Sequence, residues 1–337
     1  MVKHKLLTLS FSLVFMTTLY GEWRKLDFPT IESLWHVRFV NADTGWVLGE
    51  EYLYKTIDGG LTWKVQLSSL GKGILYVKGE DTIFLTNFNY HKEKKSDGIL
   101  RSTDSGKTWS VVCCSPDYIT KFDFVDENIG FAGGSNGDFH PLVKKTVDGG
   151  RTWRTICSDF PESEYEIEGI SFINPDIGWA VTYAGQVYKT LDGGTNWALL
   201  TNFSSNVREA VRDIEFVNEN RGMVIGGIAG QGKVWTTEDG GETWQSHNSL
   251  AKGSSMNELQ FVDKNTCWSV GYGMFSDHSI THSQDFGSRW IGEAASIDGL
   301  VPALQDGFTS LSMISYDLGY FLTNVRPNYA GAIYKYI

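Results

Sequence analysis

One eight-residue pattern, [S/T]-x-D-x-G-x-x-W, occurs six times in this chain and restricts its fold more than any other feature. The copies are TIDGGLTW (56–63), STDSGKTW (102–109), TVDGGRTW (146–153), TLDGGTNW (190–197), TEDGGETW (237–244) and SQDFGSRW (283–290). Their aspartates, Asp58, Asp104, Asp148, Asp192, Asp239 and Asp285, lie 44 to 47 residues apart. A fixed spacing of that size marks a repeat architecture, in which each unit completes its core against its neighbours.

Each copy sits between two short runs of strand character, such as GQVYKT before and WRTIC after, and therefore reads as a hairpin turn. The aspartate carboxylate accepts backbone N–H groups and ties the turn shut. The glycine takes a positive φ that a side chain would resist. Trp63, Trp109, Trp153, Trp197, Trp244 and Trp290 open the outgoing strands and pack beneath the turns. These twelve residues are assigned to structure rather than to catalysis.

A second pattern runs between the boxes. ISFINPDIGWAVT (170–182) is typical: a strand ending in an aromatic, a polar turn, a glycine, another aromatic and a second strand. Seven copies occur, including a degenerate one at 74–87 and a last one, LSMISYDLGYFLTN, at 311–324. Four short strands per repeat and seven repeats predict an all-β chain folded as a single seven-bladed β-propeller. The ends explain the missing seventh box. The chain finishes AGAIYKYI, which matches AGQVYKT (184–190), and EWRKL (22–26) matches TWRTI (152–156). The N-terminal strand should thus pair with 333–336 and close the ring, with residues 22–27 completing blade 7 and 22–337 forming the propeller. Closure hides the edges that an open array would expose.

Residues 1–21 read as a secretory signal peptide: basic MVKHK, apolar LLTLSFSLVFMTTLY, then a small residue at Gly21. The expected destination is the periplasm or the exterior, with no integral membrane segment left after cleavage. The chain carries 29 basic and 40 acidic residues, a net charge of −11, which argues against nucleic acid as a partner. Cys113, Cys114, Cys157 and Cys267 have neither a metal nor a CxxC spacing and read as idle thiols. No cofactor and no metal site are expected.

In this topology the boxes and the turns between the first two strands of a blade share one end. The remaining connections share the other end and vary in length and composition. Variable loops on a rigid scaffold are the expected seat of function. Several pair an aromatic with a His or Arg: Tyr90 with His91, Phe139 with His140, Phe275 with His278, Arg326 with Tyr329. Together with Arg38 and Arg212 these are the candidate binding residues. PESEYEIEG (161–169) adds four glutamates on the same side and suits a basic partner. Polar residues also alternate along the innermost strands, as in HVRF (36–39) and DIEF (213–216), and should face the channel or pair between blades.

The box T-x-D-G-G-x-T-W and the strand pair F-[V/I]-[N/D]-x-x-x-G-[W/F/M] resemble those of the Ycf48/HCF136-like group of Asp-box, or BNR, propellers over the whole of residues 22–337. That resemblance implies an exported, non-enzymatic scaffold that binds a protein of the cell envelope. Photosynthetic members hold their partner with an arginine-rich patch. Here the candidate arginines, Arg38, Arg208, Arg212 and Arg326, are few. The alternative is a carbohydrate-binding or glycoside hydrolase Asp-box propeller, with Tyr90, Phe139, Phe275 and Tyr329 as stacking platforms for a glycan. A sialidase would need an arginine triad that this sequence does not supply. A xyloglucanase-type enzyme would need a second propeller. A channel carboxylate pair such as Asp123 with Glu215 or Glu258 would serve hydrolysis only at a separation of about 5–10 Å.

Overall fold

The computed structural model describes residues 22–30, 32–86, 98–114, 117–161, 163, 165–203, 209–228, 231–252, 254–273, 280–292, 307–325 and 330–337. Every regular element among them is a strand, and the strands form seven antiparallel four-stranded blades around an axis. Among the described residues no helix is long and apolar enough to cross a membrane.

The innermost strands of blades 1 to 7 are β2 (Leu34–Phe39), β6 (Leu75–Lys78), β10 (Tyr118–Phe124), β14 (Ile167–Phe172), β18 (Glu209–Phe216), β22 (Ser254–Phe261) and β26 (Gly307–Ser315). Blade 7 is built from both chain ends. β1 (Trp23–Lys25) pairs antiparallel with β28 (Ala330–Tyr336) in the register Trp23↔Tyr336, Arg24↔Lys335, Lys25↔Tyr334. Trp23 is fully buried against Trp268, Phe321 and Tyr336, which locks the closing strand into an aromatic cluster.

The boxes form as local hydrogen-bond cages. At the fourth, Asp192 Oδ1 accepts from the Thr190 hydroxyl and the Asn196 N–H, each at 2.9 Å, and Oδ2 accepts from the Asn196 amide at 2.7 Å. Gly194 N–H donates to the Thr190 hydroxyl, and the Trp197 indole N–H donates to Gly194 O at 2.9 Å. Where the first glycine of the pair is replaced, Ser105 and Phe286 still adopt φ of 61° and 57°, so the cage imposes the left-handed turn on side chains that resist it.

The second sequence pattern joins neighbouring blades. Its glycine is required because a Cβ at Gly178 would lie 2.5 Å from the Phe172 ring of the same blade. Its second aromatic then stacks on the first aromatic of the next blade: Phe131 on Phe172 at 3.4 Å, Trp179 on Phe216 at 3.6 Å, and Tyr320 on Phe39 at 3.5 Å across the closure. A lysine caps three of these stacks. Lys189 lies 5.2 Å above the Trp179 ring and donates to Gly240 O in the next box at 3.3 Å. Lys145 and Lys335 repeat the arrangement toward Gly193 and Gly59. In Lys145 and Lys189 the lysine of the recurring K-T dipeptide before the box is therefore an interblade clasp, and Lys335 takes the same place in blade 7. Cys157 and Cys267 are free thiols.

Candidate functional site

Each inner strand pairs with its own blade on one edge only, which leaves N–H groups on the other edge without a strand partner. Polar side chains of the preceding blade take them. Phe39 N–H donates to the Ser312 hydroxyl, Phe172 to Asp123, Phe216 to Ser171, Phe261 to Glu215 and Met313 to Gln260. One layer along, Val37 donates to Ser310, Leu259 to Asp213 and Leu311 to Glu258. Two cations complete the belt. Lys121 Nζ contacts both Asp213 oxygens at 2.9 and 2.7 Å, and Arg38 bonds Glu258, Ser310 and the Leu311 carbonyl. The alternating polar residues of the inner strands thus pair between blades.

Burial sets the charge of this belt. It pushes the Glu215 carboxyl up to about 8 and Asp123 up to about 6, with Lys121 pulling the other way in both cases. At Glu258 burial also pushes upward, but Arg38 and Lys121 outweigh it and hold the carboxyl below its usual value. His36 is pushed down to about 3 by burial and by Arg38, so its ring is neutral, and its Nδ1 is buried without a hydrogen-bond partner.

Above the belt, toward the loop-bearing end, six of the seven inner strands carry a β-bulge at the same level. The extra residues are Trp35, Thr120, Glu168, Arg212, Asn257 and Thr309. A bulge re-aims its side chain out of the regular alternation. At blades 4 and 5 this brings two opposite charges together. Arg212 lies 5.0 Å from the Tyr183 ring centroid and 3.4 Å from Glu168, whose carboxyl burial raises to about 7 against the pull of that arginine. The Arg212 Nε is buried without a partner.

Blade 3 presents two exposed rings. Phe139, 60% exposed, stacks on Tyr118, 38% exposed, with centroids 5.8 Å apart and planes 7° from parallel. Phe139 holds φ at 65°, a left-handed conformation that bulky side chains avoid. Asn136 enforces it: its side-chain oxygen accepts from Asp138 and His140 N–H at 2.9 and 3.0 Å, while its backbone bonds His140 O and Phe139 N–H. A cavity of about 10 Å³ beside Asp117 and Lys144 has room for one water at most.

Of the candidate binding residues, Phe139 and His140 stand exposed on the loop-bearing end, Arg212 sits at the bulge level beside blade 4, and Arg38 lies deeper, engaged in the interblade belt. Tyr90, His91, Phe275, His278, Arg326 and Tyr329 lie outside the described residues, as do residues 1–21 and Arg208. Tyr118, Trp35 and Tyr183 carry no motif that singles them out in the sequence. Among the described residues no group of His, Cys, Asp and Glu is arranged to hold a metal ion.

Residues 16–118 match the family model of the photosynthesis system II assembly factor YCF48. No curated protein matches the chain. The solved structure of YCF48 bound to D1 peptide is similar, with a TM-score of 0.67 and 18% identity over 94% of this chain and 97% of that one. YCF48 from Cyanidioschyzon merolae gives 0.66 and 18% over 94% and 98%. The GH74 xyloglucanase from Xanthomonas campestris gives 0.62 and 13% over 93% of this chain but 53% of that one, so this chain spans about half of the enzyme. At such identities the structural likeness is one of fold.

Proposed function

We propose that this chain, a Ycf48-like Asp-box β-propeller, is a non-catalytic scaffold, exported from the cytoplasm, that holds a protein partner of the cell envelope on its loop-bearing end. The observation that carries the reading is the interblade belt. Asp123, Asp213, Glu215 and Glu258, four inner-strand carboxylates that hydrolytic chemistry could draw on, each accept a backbone N–H from the next blade. Their geometry is devoted to holding the ring. Among the described residues the loop-bearing end presents the exposed aromatics Tyr118, Phe139 and Tyr165, the residue class that protein-contact surfaces favour. A propeller of similar fold has been solved with a peptide bound, which supports the same class of role.

The test is cross-linking in intact cells, with the attached segments identified by mass spectrometry, beside cell fractionation and an assay on xyloglucan oligosaccharides. The reading expects envelope localisation, protein adducts from the loop-bearing end and no glycan cleavage. Reducing-sugar release by the purified chain would move the case to a hydrolase. A chain retained in the cytoplasm would remove the envelope role.

A further inference from the structure

The exposed aromatic pair on blade 3 raises a question of its own. Phe139 combines an exposed apolar ring with a left-handed backbone that bulky side chains avoid. Asn136 cages the turn, and the ring stands 60% exposed, flat against Tyr118. The next blade adds a third exposed aromatic. Tyr165 lies two residues before Ile167, whose carbonyl accepts the Thr120 hydroxyl, and Thr120 lies two residues after Tyr118. The two tyrosines therefore lead into adjacent inner strands at the same end of the ring.

The surroundings are acidic. Asp138, which precedes Phe139, is exposed, Glu166, which follows Tyr165, is half-buried, and the segment joining blades 3 and 4 reads PESEYEIEG. The described cations nearby are already engaged, Lys144 with Asp117 at 2.7 Å and Arg212 with Glu168. Arg212 also displays the chemistry such a surface offers, a guanidinium against the Tyr183 ring with a carboxylate at its edge. Elsewhere the fold uses the same pairing to clasp its blades, through Lys145 over Phe131 and Lys189 over Trp179.

We propose that the ledge of Tyr118 and Phe139, flanked by Asp138, Tyr165 and Glu166, docks a cationic segment of the protein partner, an arginine or lysine lying against the ring face with its charge toward the carboxylates. This rests on the scaffold reading above and adds the location and the chemistry of the contact.

The test titrates labelled peptides of alternating glycine and arginine, the same peptides with glutamate for arginine, and xyloglucan oligosaccharides into the full chain. The arginine peptide should bind, more weakly as salt rises. Phe139→Asn removes the ring but keeps a residue that tolerates the left-handed turn. It should weaken binding about tenfold with an unchanged melting curve, and Asp138→Asn should weaken it by less. Equal binding of the glutamate peptide, preference for the glycan, or full binding by Phe139→Asn would overturn the proposal. In cells, a photo-cross-linker in place of Phe139 should capture a basic segment, and one in place of Ile57 on the box end should not. Protein adducts from other loop positions alone would sink the ledge and leave the scaffold standing. No protein adduct from any position would sink both.

Discussion

The box aspartates and the inner-strand carboxylates are the same chemical groups in two settings, and they behave in opposite ways. Asp58, Asp104 and Asp239 are held down to about 2, first by threonine hydroxyls four residues on and then by backbone N–H groups of the same turn. Each cage closes within its own box. Glu215 and Asp123 are pushed up to about 8 and about 6 by burial, and each bonds an N–H in the next blade, 46 or 49 residues away. The outer set stays ionised and acts one blade at a time. The inner set is buried, shares its cations and couples the blades. A propeller can therefore lose one outer staple with little consequence, while a change in the inner belt is felt around the ring.

The largest expected effect follows from breaking the belt at its most connected member. Asp213→Ala removes two contacts to Lys121 and the acceptor of the Leu259 and Ile214 N–H groups, and leaves the lysine without its carboxylate. It should cost about 3–5 kcal/mol in urea denaturation. A loss below about 1 kcal/mol would show that the belt is not holding the blades.

Next comes the belt's response to pH. With its folded value near 8, against 4.5 for an ordinary glutamate, Glu215 keeps a proton in the folded chain that the unfolded chain has released. Stability should therefore fall as the pH rises through that window. Glu215→Gln should recover about 1–3 kcal/mol at pH 8 and nothing near pH 4. An identical profile for the variant and the parent would refute the burial of that charge. The box aspartates have the opposite sign, their contribution being present above about 3.8 and lost as the pH falls toward about 2.

A smaller effect tests the lysine clasp between neighbouring blades. Lys189→Met keeps the aliphatic stem over Trp179 but loses the bond to Gly240, and should cost about 1 kcal/mol in thermal denaturation. No change would assign the clasp to packing alone. The smallest concerns the boxes themselves. Asp104→Ala and Asp192→Ala should each lower the melting midpoint slightly, and the double variant should show the sum. A clear departure from additivity would mean that distant boxes communicate, against the picture of separate staples.

The propeller was legible because its signals are short in range. Box residues bond partners two to four positions away, as Thr190 and Asn196 do with Asp192, and the glycine before Trp179 is demanded by Phe172 in the same hairpin. The missing seventh box and the tryptophan at position 23 together announced the closure seen at Trp23↔Tyr336. The site was less legible. Arg38 reads in sequence both as a candidate binding residue and as one of the inner-strand polar residues that face the channel or pair between blades, and only the structure names its carboxylate partner, Glu258, 220 residues away. The bulges that re-aim Glu168 and Arg212 depend on strand register, which no single strand encodes. Phe139 stands out beside His140, whereas Tyr118 gains its meaning from the ring stacked upon it.

The sequence by itself determined the repeat, the number of blades, the staples and the way the ends meet, since each rests on hydrogen bonds and clashes within one hairpin or on the match of one repeat to another. The tertiary structure alone decided which carboxylates keep a proton, which cations are already engaged and which rings face solvent. Desolvation and Coulomb energies depend on every atom packed around a group, and those atoms arrive from blades far apart along the chain.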